Sequence, residues 1–338
     1  MSLRLTRRKT ALVGAEHQFQ LALLFWGLAP HGSSFPGLPL PRWRAVLSTE
    51  KTRNLTIAPA FDDLARMAGF DESTYGERIA EVYDEFFTTP TNAMDAVAFL
   101  ASVAGSRRVL ELGIGTGRIA LPLAARSLKV SGIDSSPKMV EKLREKPGGD
   151  AIPVALGNFV DVKVPGQFSL IYVVFSTFFG LFTQEDQIRC FDRVARHLTE
   201  DGVFVLEAFV PDVTRFDRGQ RTSTIYLDTE TAVIDSAKHD PVTQRVQAAH
   251  MIVSEEGNRL YPVQLRYAWP SELDLMARLA GMRLRERWGG WRRESFTALS
   301  PLHVSVYEKV GVATAPSTSA TPRWRTKSSR RRGTGAGA

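Results

Sequence analysis

Residues 109–120 read VLELGIGTGRIA, with glycines at alternate positions 113, 115 and 117. Glycine gives up more backbone freedom on folding than any other residue, so three of them in five positions need a structural reason. The apolar run RVLEL (108–112) before them reads as a buried strand. The stretch after them, 117–126, reads as a helix. A tight strand-to-helix turn without side chains brings backbone N–H groups close to whatever lies at the strand's carboxyl end. A turn that only packs, with no ligand, is the other explanation.

The rest of the chain extends this unit. Two helical patterns precede it, ERIAEVYDEFF (77–87) and TNAMDAVAFLASVA (91–104). Strands are expected at KVSGID (129–134), IPVAL (152–156), FSLIYVVF (168–175) and DGVFVLEAF (201–209). Helices are expected between them at SPKMVEKLREK (136–146), with Pro137 near its first turn, and QEDQIRCFDRVARHL (184–198). That alternation predicts an α/β fold with a doubly wound parallel sheet. After 210 the texture changes. YLDTETAVIDSAK, VTQRVQAAHMIVSE and NRLYPVQLRYAW (226–269) read as consecutive antiparallel strands. A helix, SELDLMARLAG, opens at Ser271 with Asp274 three residues on and stops at Gly281. Strands MRLRERWG (282–289) and LHVSVYEK (302–309) complete a Rossmann-like seven-stranded sheet, with an antiparallel β insert at about 211–269 between strands 5 and 6.

The net charge of +7 suggests a nucleic-acid partner until it is divided along the chain. Residues 1–58 and residues 311–338 each carry +6, which leaves the body at −5. The tail 311–338 is rich in Ala, Ser, Thr, Pro, Gly and Arg without apolar periodicity, and is expected to be disordered. TRRKTALVG (6–14) resembles a twin-arginine export signal, but Glu16, His17, Gln18 and Gln20 interrupt its apolar core, and LALLFWGLA (21–29) is too short to span a bilayer. Residues 1–66 are therefore read as a poorly structured basic, proline-rich extension, 67–310 as the globular domain, and Met67 as a potential start. The single cysteine, Cys190, excludes a disulfide framework and any multi-cysteine metal site, and its amphipathic setting favours a buried core position. No clustered His, Asp or Glu set has ligand spacing, so no metal is expected.

The spacing G-x-G-x-G differs from the dinucleotide fingerprint G-x-G-x-x-G, which disfavours a nicotinamide dehydrogenase. ELGIGTG resembles the first motif of class I S-adenosylmethionine (SAM) dependent methyltransferases, and the resemblance extends over about 74–310. It implies SAM as cofactor, held by Glu111, Gly113, Gly115 and Gly117. Asp134, ending the second strand, is implied to accept the ribose hydroxyls; it can also cap the following helix, as can Ser135 or Ser136. Met139 is implied near the adenine, or equally as core. Asn158 stands where the family commonly has an acidic residue that bonds the adenine amino group, and Phe159 can flank the ring. VVFSTFFG (173–180), with Phe175, corresponds to the family's fourth motif beside the transferred methyl.

The insert resembles that of small-molecule methyltransferases, including sugar and glycine-type N-methyltransferases, in which a helix before the first motif closes over the cofactor. STYGERIAEVYDEF (73–86) matches that helix, with Tyr75 and Tyr83 as cofactor contacts and Arg78 as partner for the SAM carboxylate. Each is also explained by ordinary helix packing or a solvated face. Methyl transfer needs alignment and desolvation more than a catalytic side chain, and a base only when the acceptor arrives protonated. Glu207, His250 and Tyr261 are the candidates on the acceptor side. The expected acceptor is a small molecule, methylated on N or O. A nucleic-acid acceptor is disfavoured by the acidic body and by VFST in place of an Asp/Asn-Pro-Pro-aromatic motif. A non-catalytic SAM-binding protein is the reading of another class, with Phe175, Phe178, Phe179 and Phe182 plugging the pocket instead of lining it. The missing cysteine pairs and the need for SAM point to the cytoplasm, no membrane span is expected, and the insert offers a face through which two copies can pair.

Overall fold

The computed structural model describes residues 70–86, 90–104 and 108–310. The proposed extensions 1–66 and 311–338 lie outside the described residues. Two helices, α1 (Thr74–Phe86) and α2 (Pro90–Ala104), precede the first strand. The main sheet contains β1 (Arg108–Leu112), β2 (Lys129–Asp134), β3 (Val154–Leu156), β4 (Phe168–Val173), β5 (Leu198–Phe209), β10 (Met282–Trp288) and β11 (Leu302–Lys309). Their spatial order is β10-β11-β5-β4-β1-β2-β3. β3, β2, β1, β4 and β5 run parallel, while β11 lies antiparallel to both β5 and β10. This is the expected α/β, Rossmann-like seven-stranded sheet.

The order follows from burial. All six residues of β4 are buried, as are four of the five of β1, because helices cover both faces of a central parallel strand. On one face, α5 (Gln184–His197) buries Cys190, Phe191 and Val194. There Phe191 meets Phe178, Phe204 and Tyr307 edge-on at centroid distances of 5.3–5.5 Å. On the other face α2 supplies Ala96, Val97 and Leu100, with α3 (Ala120–Ala125) beside it. Thr183 caps α5 by accepting the N–H of Asp186 at 3.0 Å. Ser136 caps α4 (Pro137–Arg144) by accepting the N–H of Met139 at 3.2 Å.

Between β5 and β10 the chain forms a separate antiparallel sheet, β6 (Gln220–Leu227), β7 (Thr231–Asp240), β8 (Arg245–Ser254) and β9 (Gly257–Arg266), followed by α6 (Pro270–Leu279). The insert has four strands where the sequence pattern gave three blocks, and the first begins at Gln220 instead of Tyr226. β6 is an edge strand alternating exposed and half-buried residues, so its apolar signal is weak. Ser271 does not cap α6: Trp269 holds the cap position and Pro270 opens the helix, so Pro270 sets the start by its fixed φ. α3 starts at Ala120 because Gly117 holds φ at +80° and cannot join a right-handed helix. Among the described residues no helix is long and apolar enough to cross a membrane.

Candidate active site

A cavity of about 240 Å³ opens at the carboxyl ends of β1, β2, β4 and β5, where a doubly wound sheet binds its ligands. It has three times the volume of its neighbour of about 80 Å³. α1 covers it from one side and β9 from the other. A polar contact network fastens α1 to α4. Ser136 Oγ and the N–H of Lys138 both donate to Glu77 Oε1, at 2.7 and 3.0 Å. Lys142 pairs with Glu81 at 3.1 Å and Lys146 with Asp84 at 2.6 Å. A small apolar patch backs this network, with Ile79 and Ala80 of α1 against Met139 and Tyr261.

The three glycines do different work. A Cβ at Gly115 (φ +54°) would meet nothing within 4 Å, so its backbone lies open to the cavity. Gly113 also lines the cavity, but a Cβ there would stand 2.5 Å from Thr177 Cγ2. Gly117 does not line the cavity; a Cβ there would stand 2.3 Å from Leu143 Cδ1, so the residue is small to let α4 pack. At the end of β2, Asp134 is 9% exposed and lines the cavity. Its Oδ2 accepts the N–H of Gly115 at 2.7 Å and its Oδ1 that of Ser136 at 2.9 Å. Burial raises its carboxyl above the ordinary range, against the lowering effect of those backbone donors.

Ser135, Met139, Asn158 and Phe159 follow around the rim. Asn158 Oδ1 accepts the N–H of Val160 at 2.9 Å while its Nδ2 donates to Glu72 Oε1 at 3.0 Å, which orients the amide. Its oxygen retains one further lone pair for a ligand. Tyr75 and Tyr83 of α1 line the cavity, their phenols pushed up by burial. Phe175 and Ser176 come after β4, both with left-handed φ (+55° and +60°), a conformation that costs a side-chain-bearing residue about 1–2 kcal/mol. The backbone N–H of Phe175 donates to Glu207 Oε2, the N–H of Ser176 donates to the Glu207 carbonyl at 3.3 Å, and Ser176 Oγ accepts the N–H of Phe209 at 3.0 Å, so three bonds to β5 hold the strained turn.

Glu207 is 6% exposed and lines the cavity. Burial pushes its carboxyl up to about 7, against the lowering effects of the Phe175 N–H and the Arg118 guanidinium. Arg118 went unremarked in the sequence, although it directly follows the glycine turn in GIGTGR. Its guanidinium lies 3.6 Å from the ring centroid of Phe175 and 5.7 Å from that of Tyr83, and among the described residues no other Lys or Arg lines the cavity. The Arg118 charge acts on the buried carboxyls of Glu111 and Glu207, lowering both against the raising effect of burial.

Other expected site residues stand elsewhere. Arg78 is exposed on α1 and does not line the cavity, because its helix turns Tyr75, Gly76 and Tyr83 inward instead. Glu111 is buried beneath the turn, accepting the Tyr172 hydroxyl at 2.8 Å, and burial pushes it up to about 8. Tyr261 packs against α1 and Met139. His250 lies over the insert beside Asp235, in the smaller cavity. Of the aromatic run, Phe175 and Phe182 line the main cavity, whereas Phe178 and Phe179 are fully buried in the core and do not plug it. Among the described residues no three His, Cys, Asp or Glu side chains are grouped to hold a metal.

An open glycine turn at β1, a buried carboxylate at the end of β2 and a cavity roofed by a preceding helix define a nucleoside-binding α/β enzyme site. The family described as "Methyltransferase domain" matches residues 109–202, from β1 into β5. The CcbJ methyltransferase from Streptomyces caelestis is 40% identical, with a TM-score of 0.67 over 71% of this chain and 99% of that one. The cypemycin N-terminal methyltransferase of a Streptomyces species is 27% identical over 242 residues, 71% of this chain and 99% of the relative. A SAM-dependent methyltransferase from Clostridium acetobutylicum shares the fold at 14% identity, with a TM-score of 0.59 over 69% of this chain and 98% of that one. The chain belongs to the class I SAM-dependent methyltransferases. The open backbone at Gly115, the Asp134 carboxylate and the aromatic rim fit this cofactor, which combines a nucleoside, a sulfonium and an amino-acid end.

Proposed function

We propose that the protein methylates the nitrogen of a small-molecule amine, that Glu207 accepts the proton, and that residues 67–310 form the catalytic unit. In this reading Asp134 and Ser135 hold the ribose, Met139, Asn158 and Phe159 border the adenine, and Arg118 faces the methionyl carboxylate in the place expected of Arg78. Bound SAM supplies an electrophilic methyl on a sulfonium whose departure leaves a neutral thioether. The chain aligns the acceptor nitrogen with that methyl, excludes water and removes one proton. Glu207 takes the proton of the acceptor ammonium first, freeing the nitrogen lone pair that the methyl of bound SAM requires.

The observation that carries the reading is the buried Glu207 carboxyl, poised at about 7 in the cavity wall. Such a base takes a proton from an alkylammonium of pKa about 10.4 at a cost of roughly 5 kcal/mol. From a hydroxyl near that of water, about 15.7, the cost is roughly 12 kcal/mol. Nitrogen is therefore favoured over an aliphatic hydroxyl, though not over a phenol, whose pKa is about 10. The cypemycin relative, by its name, modifies an N-terminus, which is an amine, and supports the same choice. Incubation with isotopically labelled SAM and matched amine and alcohol acceptors tests the reading by mass spectrometry. Label on the amines alone is expected; label on the alcohols with inert amines overturns it.

A further inference from the structure

β9 is the last strand of the antiparallel sheet, so one of its edges has no neighbouring strand. Val263, Gln264 and Leu265 follow one another along β9, and all three line the cofactor cavity. Side chains of a strand alternate between its two faces, so three consecutive residues meet one cavity where the strand turns its edge to it.

The strand register fixes which main-chain groups stand on that edge. In an antiparallel pair, hydrogen-bonded and non-hydrogen-bonded positions alternate, and at the latter both N–H and C=O point away from the partner strand. Tyr267, just past β9, donates its N–H to the carbonyl of Gln244, just before β8, at 3.0 Å. Counting by twos from that bonded pair, Leu265 and Val263 face β8, whereas Arg266, Gln264 and Pro262 face outward. Two independent contacts agree. Pro262 has no N–H to give to a ladder, and the Arg266 carbonyl accepts Gln187 Nε2 of α5 at 2.8 Å. Gln264 therefore turns its main-chain N–H and C=O into the cavity, and neither has a partner among the described residues.

The edge is closed on either side of Gln264. Pro262 offers a carbonyl alone, and its neighbour Tyr261 packs against α1. The Arg266 carbonyl is already taken. What remains is one complete rung, a donor and an acceptor side by side. The complement of such a rung is the N–H and C=O of one residue in another extended chain. Phe182, Phe209 and Leu265 make the wall around it apolar, and Glu207 stands in the same cavity.

We propose that Gln264 is the docking rung for the acceptor. The second residue of a short peptide lies along β9, its N–H on the Gln264 carbonyl and its C=O on the Gln264 N–H, with the terminal amine beside Glu207. The main chain of Gln264, and not its side chain, thereby selects an amine that carries an amide. The placement of the amine rests on the methyl-transfer reading; the rung is measured by binding. Full-length protein saturated with S-adenosylhomocysteine is titrated calorimetrically with valyl-alanine N-methylamide. Two comparison ligands are the analogue with an ester oxygen in place of the alanine N–H, and isobutylamine, which keeps the amine and lacks the amide. The ester should bind about tenfold more weakly than the peptide, and isobutylamine more weakly still. Gln264→Pro removes an outward N–H without breaking the ladder to β8 and should weaken the peptide about tenfold. Gln264→Ala keeps both main-chain groups and should weaken it far less. Affinity for S-adenosylhomocysteine reports whether each variant folds, and the ester comparison on the wild type needs no variant. Equal binding of peptide and ester, or a loss in Gln264→Ala as large as in Gln264→Pro, overturns the rung. With SAM in place of S-adenosylhomocysteine, peptide that binds on the rung but is never methylated overturns the methyl-transfer reading and leaves the rung standing. Methylation of isobutylamine without peptide binding does the reverse.

Discussion

The carboxylate of Asp134 at the end of β2 accepts the backbone N–H of Gly115, the most open residue of the turn after β1, at 2.7 Å. The residue expected to grip the ribose therefore also shapes the loop under the cofactor. Asp134→Ala should remove both functions and weaken S-adenosylhomocysteine binding by more than about tenfold, since charge-assisted bonds contribute roughly 1.5–3 kcal/mol each. Asp134→Asn, which keeps an oxygen for Gly115, should fall between wild type and alanine. Calorimetric titration of the three proteins checks the order.

Gly115 and Gly117 separate binding from stability. Gly115→Ala places a methyl group towards the cavity and pays only the left-handed backbone strain, about 1–2 kcal/mol. Gly117→Ala adds a clash with Leu143 and should cost about 2–4 kcal/mol. Urea unfolding and ligand titration together should show the first variant impaired mainly in binding and the second mainly in stability.

Glu207 should impose a pH dependence. If its carboxylate takes the ammonium proton, kcat/KM for the acceptor rises as pH passes upward through its pKa. The limb should stand at or somewhat below 7, because a nearby sulfonium favours the ionised form. Glu207→Gln should lower the rate by about 10²–10⁴-fold and remove the limb, with S-adenosylhomocysteine affinity little changed. A limb that survives the substitution assigns the proton to another group.

Glu111 links the turn to stability. Its folded pKa is raised from 4.5 to about 8, so the unfolded chain releases this proton first and stability falls as pH rises across that interval. His250 and His303, pushed down to about 4 and about 3, act in the opposite sense, losing stability as pH falls below 6.5. Well above 6.5 those histidines are neutral in both states, and Glu111 dominates, with Glu207 adding to the decline up to about 7. Between pH 6.5 and 8 the wild type should lose about 2 kcal/mol in denaturant unfolding, and Glu111→Gln should flatten that decline.

The parts of the fold legible in the sequence were those whose burial is written locally. RVLEL, KVSGID and FSLIYV are apolar because both faces of their strands are covered, and each appears within a residue or two of its expected place. QRTSTIYL is polar, and its strand exists because β7 pairs with it; no local pattern records that. The cofactor end of the site was legible because turn, strand end and carboxylate lie within about one βαβ unit. Arg118 was missed although it adjoins the glycines, because a lone arginine at a helix start has a solvated explanation and only folding brings Phe175 under it. His250 and Asp235 are fifteen positions apart, and strand register alone makes them neighbours.

The clasp between α1 and α4 is built largely from lysine–carboxylate pairs. The side chains of Lys138, Lys142 and Lys146 are 53%, 24% and 29% exposed, within reach of dissolved ions. Screening weakens such pairs, while the apolar sheet beneath is unaffected. Ionic strength should thereby act as a throttle on traffic at the mouth, shortening the residence of a ligand beneath α1 as salt rises while leaving the strand ends in place.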